Sequence, residues 1–300
     1  MAPGGYAWWY VDAVSFDQRH ALTIIAFVGS VFSPYYAWSG RREPINHCAI
    51  NVAIYSPGAG RWAMTERSRK SVRFSESRLE IGRSSVDWDG TRLRIAIDER
   101  CAPLPRPLRG EVIVRPETIS AWSTAIDGEG RHRWRPAAPR ARVETRFSEP
   151  GLEWSGEGYF DLNEGDEPLE DAFTAWSWSR SHMAQGDAAI LYDAVTRAGS
   201  RNSIALRMTR DGIERFEPPH FREAGKTGVW RMPRPIGCDD GASPSILRTF
   251  EDAPFYSRSL IESTLLGRRC VGVHESLSGD RLRSPLVKLM LPFRMPRADL

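Results

Sequence analysis

Short runs of apolar, aromatic or alternating apolar and polar residues recur along the chain. They include YAWWYVDAV from residue 6, HCAINVAIY from 47, RLRIAIDE from 92, EVIVRPE from 111, RARVETRF from 140, LEWSGEGYFD from 152, DAAILYDAV from 187 and SIALRM from 203. A period of two sends successive side chains to opposite faces of a strand, and Gly, Pro, Asp or Ser bounds most of these runs. The pattern predicts an all-β protein. Helical spacing is sparse. Its best instance is EPLEDAFTAWSWSR, residues 167–180, where Leu169, Phe173 and Trp176 fall at i, i+4 and i+7. Pro168 stands where a helix would begin, and Arg180 near its end suits the helix dipole. The uncharged stretch ALTIIAFVGSVFSPYYAWSG, residues 21–40, is long enough for a membrane helix. Gly29, Ser30, Ser33 and Pro34 interrupt it, and β-branched and aromatic residues dominate, so two buried strands around a turn are expected.

The 300 residues are enough for one large core or two smaller ones. The Pro-rich segment CAPLPRPLRG, residues 101–110, reads as a loop and FSEPG, residues 147–151, as a turn. A boundary near residue 150 is expected, giving β units over 1–150 and 151–300. The formal charge of +3 comes from 41 basic and 38 acidic residues mixed along the chain, which argues against a nucleic-acid partner. Cys48, Cys101, Cys238 and Cys270 form no CxxC pair and no Cys/His cluster at metal-ligand spacing, so reduced thiols and no bound metal are expected. Residues 1–20 lack the basic start and apolar middle of a secretion signal.

No Gly-rich phosphate loop, GxSxG elbow or HExxH pair is present, so no cofactor is expected. Six carboxylates fall between Asp161 and Asp171. Asp166, Glu167, Glu170 and Asp171 read as a solvated helix start. Asp161 differs because it directly follows an aromatic strand. In RHRWRP, His132 and Trp134 are two apart and share a face; in LEWSGEGYFD, Tyr159 and Asp161 do the same. Two strands can thus present His, Trp, Tyr and Asp to one cavity, although a strand His and its neighbouring Trp also serve as ordinary packing. A carboxyl in an aromatic-lined pocket has its charged form disfavoured and can act as a proton donor. Aromatic faces attract cations. An acid among them suits protonation of an alkene, followed by either water addition or rearrangement.

Longer matches extend this reading. PGGYAWWYVDAVS with ALTIIAFVGSVFSPYYAW, NHCAINVAIY with RWAMTER, GRHRWRPAAPRARVE, GYFDLNEGDEPLEDAF, EDAPFYSRS, HESLS and LPFRMPR resemble, in that order, the carotenoid 1,2-hydratases of phototrophic bacteria. The resemblance runs from about Gly4 to Arg297. It implies a lipocalin-like, calycin-type fold of two tandem barrel-like halves with one or two short helices. It further implies a cofactor-independent hydro-lyase that adds water across the terminal C1=C2 bond of acyclic carotenoids such as neurosporene and lycopene. The family's His-x-Trp and Tyr-x-Asp pairs fall on His132, Trp134, Tyr159 and Asp161. Asp161 is then the acid, Trp134 and Tyr159 stabilise the cation or orient the acid, and His132 positions water or tunes Asp161. Leu162 and Glu164 depart from the family pattern, and the chain starts only three residues before Gly4-Gly5-Tyr6, which bears on the edge of the first strand and on membrane contact. A carotenoid substrate implies a cytoplasmic protein in peripheral contact with the inner membrane. The C-terminal SPLVKLMLPFRMPRADL reads as a last strand or as a membrane-surface segment. Two other functions fit the same cavity: a carotenoid or lipid carrier without chemistry, and a terpenoid isomerase or pericyclase.

Overall fold

The computed structural model describes residues 1–183, 186–209 and 212–299. Strands dominate it and the helices are short. The chain divides into two units. The first comprises Met1–Thr124, Arg131–Pro168 and the segment from Lys288, and the second comprises Ala125–Gly130 and Leu169–Val287.

The first unit holds β1 (Tyr6–Ser15), β2 (Ala21–Val28), β3 (Cys48–Tyr55), β4 (Arg61–Met64), β5 (Val72–Phe74), β6 (Arg78–Ile81), β7 (Ser84–Trp88), β8 (Leu93–Arg100), β9 (Pro107–Pro116), β11 (His132–Glu149) and β12 (Leu152–Gly165); the two-residue strand β10 is Thr124–Ala125. They pair in the order β4-β3-β2-β1-β12-β11-β9-β8-β7-β6-β5. Every neighbouring pair is antiparallel, so each strand keeps the alternation read from its residues. The sheet curls around one apolar face that gathers Val11, Ile24, Ile50, Val52, Ile95, Val112 and Val143 into the core. The boundary expected near residue 150 coincides with the turn joining β11 and β12, and the strands on both sides of it belong to this one sheet.

The second unit holds β13 (Phe173–His182), β14 (Ala188–Thr196), β15 (Arg201–Met208), β16 (Ile213–Arg215), β17 (Phe221–Glu223), β18 (Pro235–Gly237), β19 (Ser245–Asp252), β20 (Tyr256–Leu265) and β21 (Arg268–Ser278). Its main sheet runs β16-β15-β14-β13-β21-β20-β19, while β17 and β18 pair with each other. One face of β13, β20 and β21 carries Ser177, Ser179, Ser181, Ser257, Ser259, Ser263, His274 and Ser276, all buried. The segment ending in β18 covers this face. Ser177 donates to the Pro235 carbonyl at 2.8 Å, Ser276 to Pro233 at 2.7 Å and Ser263 to Gly237 at 2.8 Å.

Three local expectations are corrected. Residues 167–180 form only the one-turn helix α2 (Leu169–Ala172) before β13 begins, because the alternation Trp176-Ser-Trp178-Ser-Arg180 outweighs three apolar residues at helical spacing. The second half of residues 21–40 is not a strand but the helix α1 (Pro34–Trp38). Ser33 caps it by accepting from the Tyr36 N–H at 2.9 Å, with Pro34 at the first position. The C-terminal segment forms no strand of the main sheets. After α3 (Gly279–Arg283) comes α4 (Pro285–Met290), and then a stretch that bridges Arg297 to Glu66 in parallel. That stretch is tied by Glu66 N–H to the Pro296 carbonyl at 2.9 Å and by Ala298 N–H to the Glu66 carbonyl at 3.0 Å.

The four cysteines are free thiols. Burial pushes the Cys48 thiol up to about 12, so it stays protonated. Among the described residues no helix is long and apolar enough to cross a membrane.

Candidate active site

β12 lies between β1 and β11, and its register builds the site rung by rung. Gly165 stands between Tyr6 and His132, Asn163 between Trp8 and Trp134, Asp161 opposite Tyr10, and Tyr159 opposite Asp12. All these side chains project to one face of the sheet, since antiparallel partners share a face and every second residue returns to it. β11 carries a register shift between Arg135 and Ala138, beside Asp161. The shift ends the regular ladder just past Trp134, at the level of the carboxyl.

Asp161 is 4% exposed and Trp134, Tyr159 and His132 are 0% exposed, so this polar cluster is buried. Oδ2 of Asp161 accepts from the Trp134 indole N–H at 2.9 Å and the Tyr159 hydroxyl at 2.8 Å, while Oδ1 accepts from the Asn163 amide at 2.9 Å. Burial, and then the Asp161 charge beside it, push the Tyr159 hydroxyl well above the ordinary tyrosine range. Tyr159 is therefore a fixed donor at neutral pH. Trp122 meets the Trp134 ring edge-on at 6.0 Å, and Tyr10 meets the Tyr159 ring at 6.1 Å.

The structure thus brings Asp161, Trp134 and Tyr159 together. His132 shares their face but is anchored elsewhere. Its Nδ1 lies 2.8 Å from the Tyr6 hydroxyl and its Nε2 lies 3.4 Å from the Glu167 carboxylate. Because a carboxylate only accepts, Nε2 carries the proton and Nδ1 accepts from Tyr6. Both nitrogens are then engaged away from Asp161. Gly165 makes the Tyr6–His132 meeting possible, since a Cβ there would stand 2.3 Å from the Tyr6 ring and 2.8 Å from His132 Nδ1.

The remaining acids of the run have separate roles. Arg133 grips Glu164 at 2.6 Å and Asp166 at 2.9 Å, and its hydrogen bonds hold the Asp166 carboxyl below the usual carboxylate range. Glu167 accepts from Arg131 at 3.0 Å. Glu170 is buried, which corrects its placement on a solvated helix start. The members of the cluster that the residue reading missed are Tyr6, Tyr10, Asp12 and Asn163. The signal was the period-two spacing in YAWWYVD, which contains a second Tyr-x-Asp pair at Tyr10 and Asp12.

On the opposite face of the same strands lies a cavity of about 930 Å³, lined by Trp9, Phe160, Leu162, Leu79, Val86 and Leu93 among others. Strand alternation alone separates it from the carboxyl, since Phe160 and Leu162 flank Asp161 and point the other way. Among the described residues no group of three or more His, Cys, Asp or Glu side chains is arranged to hold a metal ion.

Curled antiparallel sheets, short helices and a large apolar cavity define a lipocalin-like β protein. In keeping with this, the chain superposes on an AttH protein of Nitrosomonas europaea with a TM-score of 0.64 at 14% identity, covering 91% of this chain and 92% of that one. The family is closer in sequence: residues 24–299 match the carotenoid hydratase CrtC model, and the chain belongs to that family. It is 50% identical to the acyclic carotenoid 1,2-hydratase of Thiocapsa roseopersicina, over 99% of this chain and 74% of the relative. It is 46% identical to the acyclic carotenoid 1,2-hydratase of Rubrivivax gelatinosus, over the same shares.

Proposed function

We propose that this chain hydrates acyclic carotenoids, with neurosporene or lycopene as substrate, at the terminal C1=C2 double bond. The observation that carries this reading is the buried Asp161 carboxyl with its three donors, in a chain of the carotenoid hydratase family. Trp134 and Tyr159 occupy the two acceptor positions of Oδ2, so the proton to be delivered sits on Oδ1, beside Asn163. Its transfer to C2 breaks the π bond and leaves a tertiary cation at C1. The resulting carboxylate is met at once by donors already in place, which is where the barrier falls. The rings of Trp134, Tyr159 and Tyr10 share the face on which the cation forms. Water adds at C1 and loses a proton, giving a 1-hydroxy-1,2-dihydro carotenoid. Alkene and water alone balance this reaction, so it calls for no redox cofactor. His132, held by Tyr6 and Glu167, is a positioning residue in this scheme.

Access to a bilayer-dissolved substrate implies peripheral contact with the inner membrane from the cytoplasm. Exposed Leu289 and Phe293 beside Lys288 and Arg294 support that docking, as apolar anchors flanked by cations. A second reading, a carrier without chemistry, is favoured by the apolar cavity on the other face.

One experiment separates the two. Purified wild-type and Asp161→Asn proteins are incubated anaerobically with lycopene in detergent and oxygen-18 water, and the products are analysed by mass spectrometry. A labelled tertiary alcohol from wild type alone supports hydration by Asp161. Binding without product selects the carrier, and an unlabelled rearranged hydrocarbon selects an isomerase.

A further inference from the structure

The water that attacks the cation must lose a proton, and a second carboxyl lets proton delivery and proton removal run on separate groups. Asp161 has just given one up, and its oxygens are held by Trp134, Tyr159 and Asn163. A second carboxyl stands on the same sheet face. Asp12 is 0% exposed, and the Tyr10 hydroxyl donates to its Oδ2 at 3.2 Å. The antiparallel register sets two Tyr-x-Asp pairs head to tail, with Tyr10 opposite Asp161 and Asp12 opposite Tyr159. Each carboxyl is thus diagonal to the other, with backbones about 7–8 Å apart. Two carboxyls that are neighbours on one face but not directly paired can divide the work of acid and base, with a water taken between them, as inverting glycosidases do.

A further observation points to water beside Asp12. Thr23 stands across β1 in the same rung as Asp12, is buried, and has no hydrogen-bond partner for its hydroxyl. A buried hydroxyl and a buried carboxylate side by side supply the polar partners that an ordered water requires.

We propose that Asp12 is the general base of the reaction, taking the proton from a water held beside Thr23 as that water bonds to C1. This rests on the hydration reading above. The atoms balance: Asp161 gives H⁺ to C2, water gives OH to C1 and H⁺ to Asp12, and the return of that proton from Asp12 to Asp161 restores the starting state. Tyr10 orients the base as Tyr159 orients the acid.

The test separates protonation from water capture. Full-length protein is incubated with lycopene in D2O, and both hydrated product and deuterium in recovered lycopene are measured. Deuterium reports a cation that formed and collapsed back to the alkene. Asp12→Asn is expected to lower hydration ~100-fold while deuterium exchange persists or rises; Asp161→Asn is expected to abolish both. Equal loss of hydration and exchange in Asp12→Asn, or unchanged hydration, overturns the assignment. If Asp12→Asn does not fold, Tyr10→Phe carries the test, since it keeps the carboxyl and removes only the hydroxyl that orients it. A several-fold shift of the product ratio toward exchange supports the base, and an unchanged ratio overturns it. A wild-type chain that neither hydrates nor exchanges sinks the hydration reading itself, an outcome distinct from either variant's failure.

Discussion

The two curled sheets use the same strand alternation and fill their covered faces in opposite ways. In the first unit the inner face is lined by Trp9, Phe160, Leu162 and aliphatic residues, and it leaves about 930 Å³ unfilled. In the second unit the corresponding alternation delivers serines and His274, which bind the Pro233, Pro235 and Gly237 carbonyls of the chain laid across them. Period two decides which residues share a face. It does not decide whether a ligand or the protein's own backbone occupies that face. An apolar lining leaves room for an apolar guest, whereas a hydroxyl lining must be satisfied by polar partners.

The largest test of this contrast is pH. His274 is fully buried, and burial lowers its pKa to about 4. The unfolded chain then binds more protons between about 4 and 6.5, so stability present above the unfolded value is lost as pH falls through that window. Glu99 in the first unit is also buried, and burial raises its pKa to about 7. There the folded chain binds more protons, so stability falls as pH rises from about 4.5 to about 7. Each contribution is of order 3 kcal/mol. They oppose each other over the shared window, so thermal melts of Glu99→Gln should show stability rising with pH. Melts of His274→Gln should show it falling, and wild type should be flatter than either.

Next in size is packing. A Cβ at Gly237 would stand 2.5 Å from Leu191, so Gly237→Ala should cost about 2 kcal/mol in denaturant titration. Ser177→Ala removes the hydroxyl between Pro235 and His274, with an expected loss of about 1 kcal/mol by the same titration. The smallest effect belongs to the first unit. Ala137 lines the cavity, and Ala137→Leu should change stability by less than about 0.5 kcal/mol because the added side chain enters open space. A large loss there would show that the two covered faces are equally filled.

Most strands were legible because alternation is local. Asp161, Trp134 and Tyr159 were legible as a group because two-residue spacing puts each pair on one face. Tyr10 and Asp12 show the same spacing, but their membership depends on β1 lying beside β12, about 150 residues away. Nothing in either segment names its neighbour. The bonding of His132 was hidden for the same reason, since Tyr6 and the bare Gly165 decide it from two other strands. The helix expected over 167–180 shows the converse error, where three apolar residues at helical spacing coincided with a strand whose serines face a polar neighbour. Of the two readings of the C-terminal stretch only the strand fails, since Leu289 and Phe293 lie exposed in short helical turns that no alternation announces.

The bridge between Glu66 and Arg297 also bears on how the chain is made. Synthesis is vectorial, and domains generally form as units while the chain emerges. The first unit spans Met1 to the segment beyond Lys288. Its strands β1 and β12 can meet only after residue 165 has left the ribosome, and its closing contact waits for residue 297. The second unit, encoded between these points, emerges while the first is still open along one edge. Truncation just before Pro296 should therefore leave the Glu66 N–H and carbonyl without the partners that Pro296 and Ala298 supply.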